Sequence, residues 1–104
     1  MRVEVSKSDR ADKKYMARFI PSTPTEKVNN KTIHFGSKGS EDFTTHGDVD
    51  RKENYIARHK KNENWRRTGI RTAGFWAKHL LWNKPTMEES AKHLKNMGIR
   101  VIIK

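Results

Sequence analysis

The sequence predicts one α+β domain over residues 1–104, with a small, mainly antiparallel sheet packed by about three helices. Three observations predict it. The first third of the chain carries three short stretches in which apolar residues alternate with polar ones, the period of a half-buried strand. From Asp48 onward the apolar spacing changes to three and four, the period of an amphipathic helix. The chain then closes on Ile99-Arg100-Val101-Ile102-Ile103, which alternates again. Three N-terminal strands, a run of helices and one C-terminal strand make an α+β order. At 104 residues the chain can bury a single hydrophobic core.

Each element has a local reason. Arg2–Val5 places Val3 and Val5 on one face. Lys13–Ile20 places Tyr15, Ala17 and Phe19 on one face and Met16, Arg18 and Ile20 on the other, and Pro21 ends it. Pro21–Asn30 is a loop rich in Pro, Ser, Thr and Asn. Lys31–Phe35 follows with Ile33 and Phe35 on one side, and the two strands are expected to pair as a hairpin. Gly36–Gly47 is turn chemistry around Phe43. Asp48 or Asp50 caps a helix reaching about Asn62, whose narrow apolar side is expected along Val49 and Ile56. Thr72–Trp82 is the expected core helix: Ala73, Trp76, Ala77, Leu80 and Leu81 form one stripe, Phe75 and Trp82 a second side around His79. Thr72 caps it and Pro85 stops it. Thr86 opens the last helix in a capping box with Glu89. Met87, Ser90, Ala91, Leu94 and Met97 line its inner face, and Gly98 is its left-handed stop.

Composition points to a class of partner. Lys and Arg number 23 against 12 Asp and Glu, a formal net charge of +11. Such an excess fits an anionic partner such as nucleic acid. There is no cysteine, hence no disulfide or thiolate metal site. No apolar run approaches the roughly 18 residues of a spanning helix, so no membrane role is expected. The opening MRVEVSKSD has no apolar leader core.

The stretches KSDRADKKYMARF, KTIHFGSKGSEDFTTHGDVDRKENYIARHKKNENW and GIRTAGFWAKHLLWNKPTMEES carry a resemblance over nearly the whole chain. With HFGSKG, Arg58-His59 and Leu81-Trp82-Asn83-Lys84-Pro85-Thr86 as its most specific pieces, the sequence resembles a small basic protein family of nucleocytoplasmic large DNA viruses, Marseillevirus-like and mimivirus-like giants included. That resemblance implies a viral protein with a virion or nucleoid-associated role, and brings no catalytic residues with it.

The densest basic stretch is Arg58–Arg71, where Arg58, Lys60, Lys61, Arg66, Arg67 and Arg71 stand against Glu63 alone. Cations pair phosphates, and Trp65 inside the stretch can stack on a base or pack under an arginine. These residues, with Lys38 in the turn between Gly36 and Gly39, are the expected nucleic-acid contacts. No zinc-finger, RNP or zipper pattern accompanies them, so contact with the double-stranded DNA backbone is expected rather than base reading. A solvated charged face, with Trp65 in the core, explains the same residues. Gly36-Ser37-Lys38-Gly39 could cradle a phosphate, although a plain turn accounts for it. His46, Asp48 and Asp50 could hold a divalent ion for nuclease chemistry, but helix capping explains the aspartates. The expectation is therefore a non-enzymatic DNA-binding or nucleoid-packaging protein, without cofactor or metal, in the virion or in the infected host cell's cytoplasm or nucleus. The alternative is an interaction module for an acidic host or virion protein, with Val3–Val5 or Ile99–Ile103 as a free edge for a homodimer.

Overall fold

A computed structural model describes residues 1–27 and 32–104. It contains β1 (Arg2–Lys7), β2 (Lys13–Ile20), β3 (Ile33–Ser37), α1 (Phe43–His46), α2 (Val49–His59), α3 (Ala73–Trp76), α4 (Met87–Lys95) and β4 (Arg100–Ile103). A 3₁₀ turn, Arg67–Gly69, precedes α3, and a π-helical segment, Ala77–Leu81, continues it. The fold is α+β. The expected strand start at Lys31 and the loop end at Asn29 and Asn30 lie outside the described residues.

The sheet order is β3-β2-β1-β4. β1 pairs antiparallel with β2 (Val3 opposite Phe19), and β2 with β3 (Tyr15 opposite Phe35). β4 runs parallel to β1, with Val101 opposite Val3. The intervening helices supply the long crossover that a parallel pair requires. β1 is therefore central, which overturns the expectation that Val3–Val5 could be a free edge; β3 and β4 are the edges. β3 runs two residues past the expected Phe35, with Gly36 at φ 78° inside it, and the turn after it is closed by the Ser40 N–H on the Ser37 carbonyl at 3.2 Å.

Alternation dictates which face is covered. Val3, Val5, Ala17, Phe19, Ile33 and Phe35 all project inward and are buried. Trp76, at 0% exposure, is the hub against which Phe19, Phe35 and Phe75 pack at ring-centroid distances of 6.2, 6.4 and 5.2 Å. Its indole N–H donates to the Ile70 carbonyl at 2.7 Å, so burial leaves no orphan donor there.

The core helix is shorter and less regular than its stripe implies. Thr72 caps it as expected, accepting from the Phe75 N–H at 3.3 Å. After Trp76 the backbone widens into the π segment, and the helix ends at Leu81, before Pro85. A π turn carries more residues per revolution, so it shifts the phase of all that follows. Leu80 and Leu81 stay in the core, while Trp82 leaves the helix on the side facing α2.

α2 begins one residue after Asp48, whose carboxylate accepts from the Asp50 and Arg51 N–H groups at 3.0 and 3.2 Å. The expected Val49–Ile56 docking stripe is wrong: Val49 is 55% exposed, and Tyr55 is the buried residue. The helix is attached by rings and polar side chains rather than by an aliphatic stripe. At α4 only half of the expected capping box forms: Thr86 Oγ1 accepts from the Glu89 N–H at 3.2 Å, without a return bond from Glu89 among the described residues, while Gly98 adopts φ 78° as a left-handed stop.

Candidate nucleic-acid interface

The residues of the basic stretch are dispersed by the fold. Lys60, Trp65 and Arg66, with Glu63, Asn64 and Thr68, line a shallow groove of about 560 Å³. Lys61 is exposed in the turn after α2. Arg58, one residue before the end of α2, lines a larger cleft described below. Arg67 and Arg71 turn elsewhere. The Arg67 guanidinium lies 3.7 Å from where a Cβ on Gly98 would stand, at the C-terminal end of α4. A cation there complements the helix dipole. The Arg71 guanidinium sits 4.6 Å from the centroid of the Phe19 ring. Lys38 is exposed in its turn, where its N–H donates to the Asp12 carbonyl at 3.0 Å.

Charge compensation decides what this surface can do. Among the described residues, Arg58, Lys60, Lys61, Arg66 and Arg67 enter no ion pair with a carboxylate. Glu63, the one acid in the stretch, lies against Gly74 in the first turn of α3, so closely that no Cβ could fit there. The positive end of a helix favours that carboxylate. It lines the same groove as Lys60 and Arg66 but, among the described residues, forms an ion pair with neither.

Trp65 is half-buried and anchors the groove from beneath. Its carbonyl lies 2.8 Å from His79 Nε2. A carbonyl only accepts, so Nε2 carries the proton. His79 is buried, and desolvation first of all pushes its pKa down to about 4, with the Trp65 contact opposing. The Lys78 ammonium stands 5.6 Å from the Trp65 ring centroid. Burial, and then the Lys52 charge, lowers the Lys78 pKa.

The larger cleft, about 610 Å³, lies between α2 and the β3–α1 connection, with the π segment at its base. Its aromatic lining is a stack that composition alone does not reveal. Tyr55 and Trp82 stack nearly parallel, 4° apart with centroids at 4.3 Å, and His59 lies 4.3 Å from Tyr55. Burial raises the Tyr55 pKa to about 12, with Glu63 adding to it and Arg58 opposing. Lys52 ties α2 down by donating to the Asn83 carbonyl at 2.6 Å, with its ammonium 5.0 Å from the Phe43 ring.

Across the cleft, Asp42 is buried and holds the Lys14 ammonium at 2.7 Å. It also caps α1, accepting from the Thr44 N–H and hydroxyl, while its own N–H donates to Thr45 Oγ1. The sequence reading passed over this capping box, although Asp42 and Thr45 at N-cap and N3 were there to find. His46, Asp48 and Asp50 form no cluster able to hold a metal ion among the described residues, and two of the three are engaged in local bonds. His46 Nδ1 accepts from the Asp48 N–H at 2.8 Å, and the Asp48 carboxylate caps α2. The Gly36–Gly39 turn spends the Lys38 N–H on Asp12, which weakens it as a phosphate cradle. Among the described residues, no helix is long and apolar enough to cross a membrane.

Residues 3–59 match the model of a protein family of unknown function, DUF5754. The matched segment runs from β1 through the end of α2, so Arg58 and His59 fall within it and Lys60–Arg71 beyond it. No curated protein and no solved structure matches the chain.

Proposed function

We propose that this chain, which belongs to the DUF5754 family of unknown function, is a non-enzymatic accessory protein that binds nucleic acid through its phosphates, largely without regard to sequence. One observation carries the reading: Arg58, Lys60, Lys61 and Arg66 are exposed on consecutive segments and, among the described residues, none is neutralised by a carboxylate. Exposed cations of this kind displace condensed counterions from a polyanion, a gain that does not depend on base identity. Trp65, half-buried between Lys60 and Arg66, adds a ring edge to the same groove. Double-stranded DNA is the proposed ligand, in the packaging or nucleoid of a large DNA virus. The protein would then reside in the virion, or in the cytoplasm or nucleus of the infected cell.

The test is fluorescence anisotropy of a labelled duplex at about 50 mM salt, repeated with single strands and RNA, and with heparin as competitor. Binding that is indifferent to sequence and lost to heparin supports the proposal. Absence of duplex binding at that salt overturns it. An interaction module for an acidic protein is the second reading. What favours it is β4, a sheet edge that pairs only with β1 among the described strands. An acidic polypeptide retained on the immobilised chain, where duplex DNA is not, would select it. A homodimer paired through β4 would appear as twice the monomer mass in light scattering.

A further inference from the structure

The 610 Å³ cleft beside α2 shares Arg58 with the backbone-binding role, but has an aromatic lining that this role does not use. Its volume falls within the range of small-molecule sites, roughly 300–1,000 Å³. Two ion pairs neutralise most of its charge: Lys14 with Asp42 at 2.7 Å on one wall, and Glu41 with Arg51 of α2 at 2.6 Å across the cleft. The facing wall, α2, offers Asn54, Tyr55, Arg58 and His59 on adjacent turns. Arg58 is the cation of the cleft that no carboxylate compensates among the described residues. His59 is half-exposed and caps an aromatic stack that runs through Tyr55 to Trp82, with the His46 ring 5.4 Å beyond Trp82. Asn54 is exposed, with an amide that can both donate and accept. A site with a ring shelf, one uncompensated guanidinium and one amide suits a flat heterocycle joined to a single anionic group.

We propose that this cleft binds one nucleotide unit, a nucleoside 5′-monophosphate, with its phosphate on Arg58 and its base on His59, at the end of the Tyr55–Trp82 stack. The unit arrives either free or as the phosphorylated end of a single strand. Guanidinium binds phosphate through paired N–H donors, and base stacking on aromatic rings tolerates any base. The site is separate from the Lys60–Arg66 groove and does not require duplex binding.

Calorimetric titration of the full chain tests it, with adenosine 5′-monophosphate, adenosine and inorganic phosphate as probes. The monophosphate is expected to bind about tenfold or more tightly than either of the others, since neither satisfies both features. Arg58→Gln should weaken the monophosphate about tenfold and leave adenosine unchanged. His59→Ala should weaken both by about tenfold while duplex affinity holds. A 5′-phosphorylated oligonucleotide that outcompetes the monophosphate identifies the strand end as the source; parity identifies the free nucleotide. A monophosphate that binds no better than inorganic phosphate, or an Arg58→Gln chain that titrates like the parent, overturns the assignment. Duplex binding without monophosphate binding sinks this site alone. Monophosphate binding without duplex binding sinks the backbone role alone.

Discussion

Neutralising Lys60 and Arg66 together gives the sharpest prediction. The sequence offers six cations over Arg58–Arg71. The structure assigns Arg71 to the Phe19 ring and Arg67 to the end of α4, leaving Arg58, Lys60, Lys61 and Arg66 for phosphates. Four phosphate contacts give a slope of about −3.6 for log K against log salt on duplex DNA. A fourfold rise in salt then lowers affinity about 150-fold. The double variant Lys60→Gln/Arg66→Gln keeps two contacts, so its slope falls to about −1.8 and the same rise costs only about 12-fold. Both side chains are exposed and outside any described ion pair, so the fold should not suffer. Anisotropy of a labelled duplex across a salt series, on two unrelated sequences, reads the slope directly. Arg67→Gln and Arg71→Gln are the controls: they should leave the slope nearly unchanged and each cost about 0.5–1 kcal/mol of stability, from the helix dipole and the cation–ring contact. A double variant whose slope matches the parent's, or an Arg67/Arg71 pair that flattens it, refutes this division of the cations.

Three further outcomes follow from local geometry. Gly36→Ala should destabilise by about 1–3 kcal/mol in urea titration, because φ is 78° and the new Cβ would meet Leu81 Cδ1 at 2.8 Å; a neutral result would mean that the turn relaxes freely. Asp42→Ala should cost about 3–5 kcal/mol, since it removes the Lys14 counter-charge and the α1 cap, whereas Thr45→Ala, which loses the bond from the Asp42 N–H and its hydroxyl's bond to the Asp42 carbonyl, should cost about 1 kcal/mol. For His79 the folded-state pKa of about 4 lies below the ordinary 6.5, so the unfolded chain takes up the proton first. Stability should therefore be complete above about pH 6.5 and decline as pH falls towards 4; His79→Gln, melted at both ends of that window, should lose this contribution to the pH dependence.

Elements governed by a short repeat were legible in the residues. β2 has its expected bounds, and the caps Asp48, Thr72 and Thr86 start their helices as their side chains dictate. The four-residue α1 was not legible as a helix, because its glycine- and serine-rich surroundings read as turn. The burial of Tyr55 was also missed: α2 has little apolar content, and the partner that buries Tyr55 is Trp82, 27 positions away. The π segment that turns Trp82 towards α2 has no signature in spacing, since the apolar stripe fits an ordinary helix equally well.

From the chain alone came the alternation that makes the strands, the caps, and a surplus of cations gathered near Arg58–Arg71. These depend on neighbours a few residues apart, where periodicity and side-chain chemistry act directly. Only the folded chain decided which cations remain uncompensated, because ring faces, helix ends and carboxylates distant in sequence compete for them. The same holds for the parallel placement of β4 and for the cleft, whose walls come from β2, the turn before α1, α2 and the residue after the π segment. Contacts between distant segments follow from packing, and no local pattern encodes them.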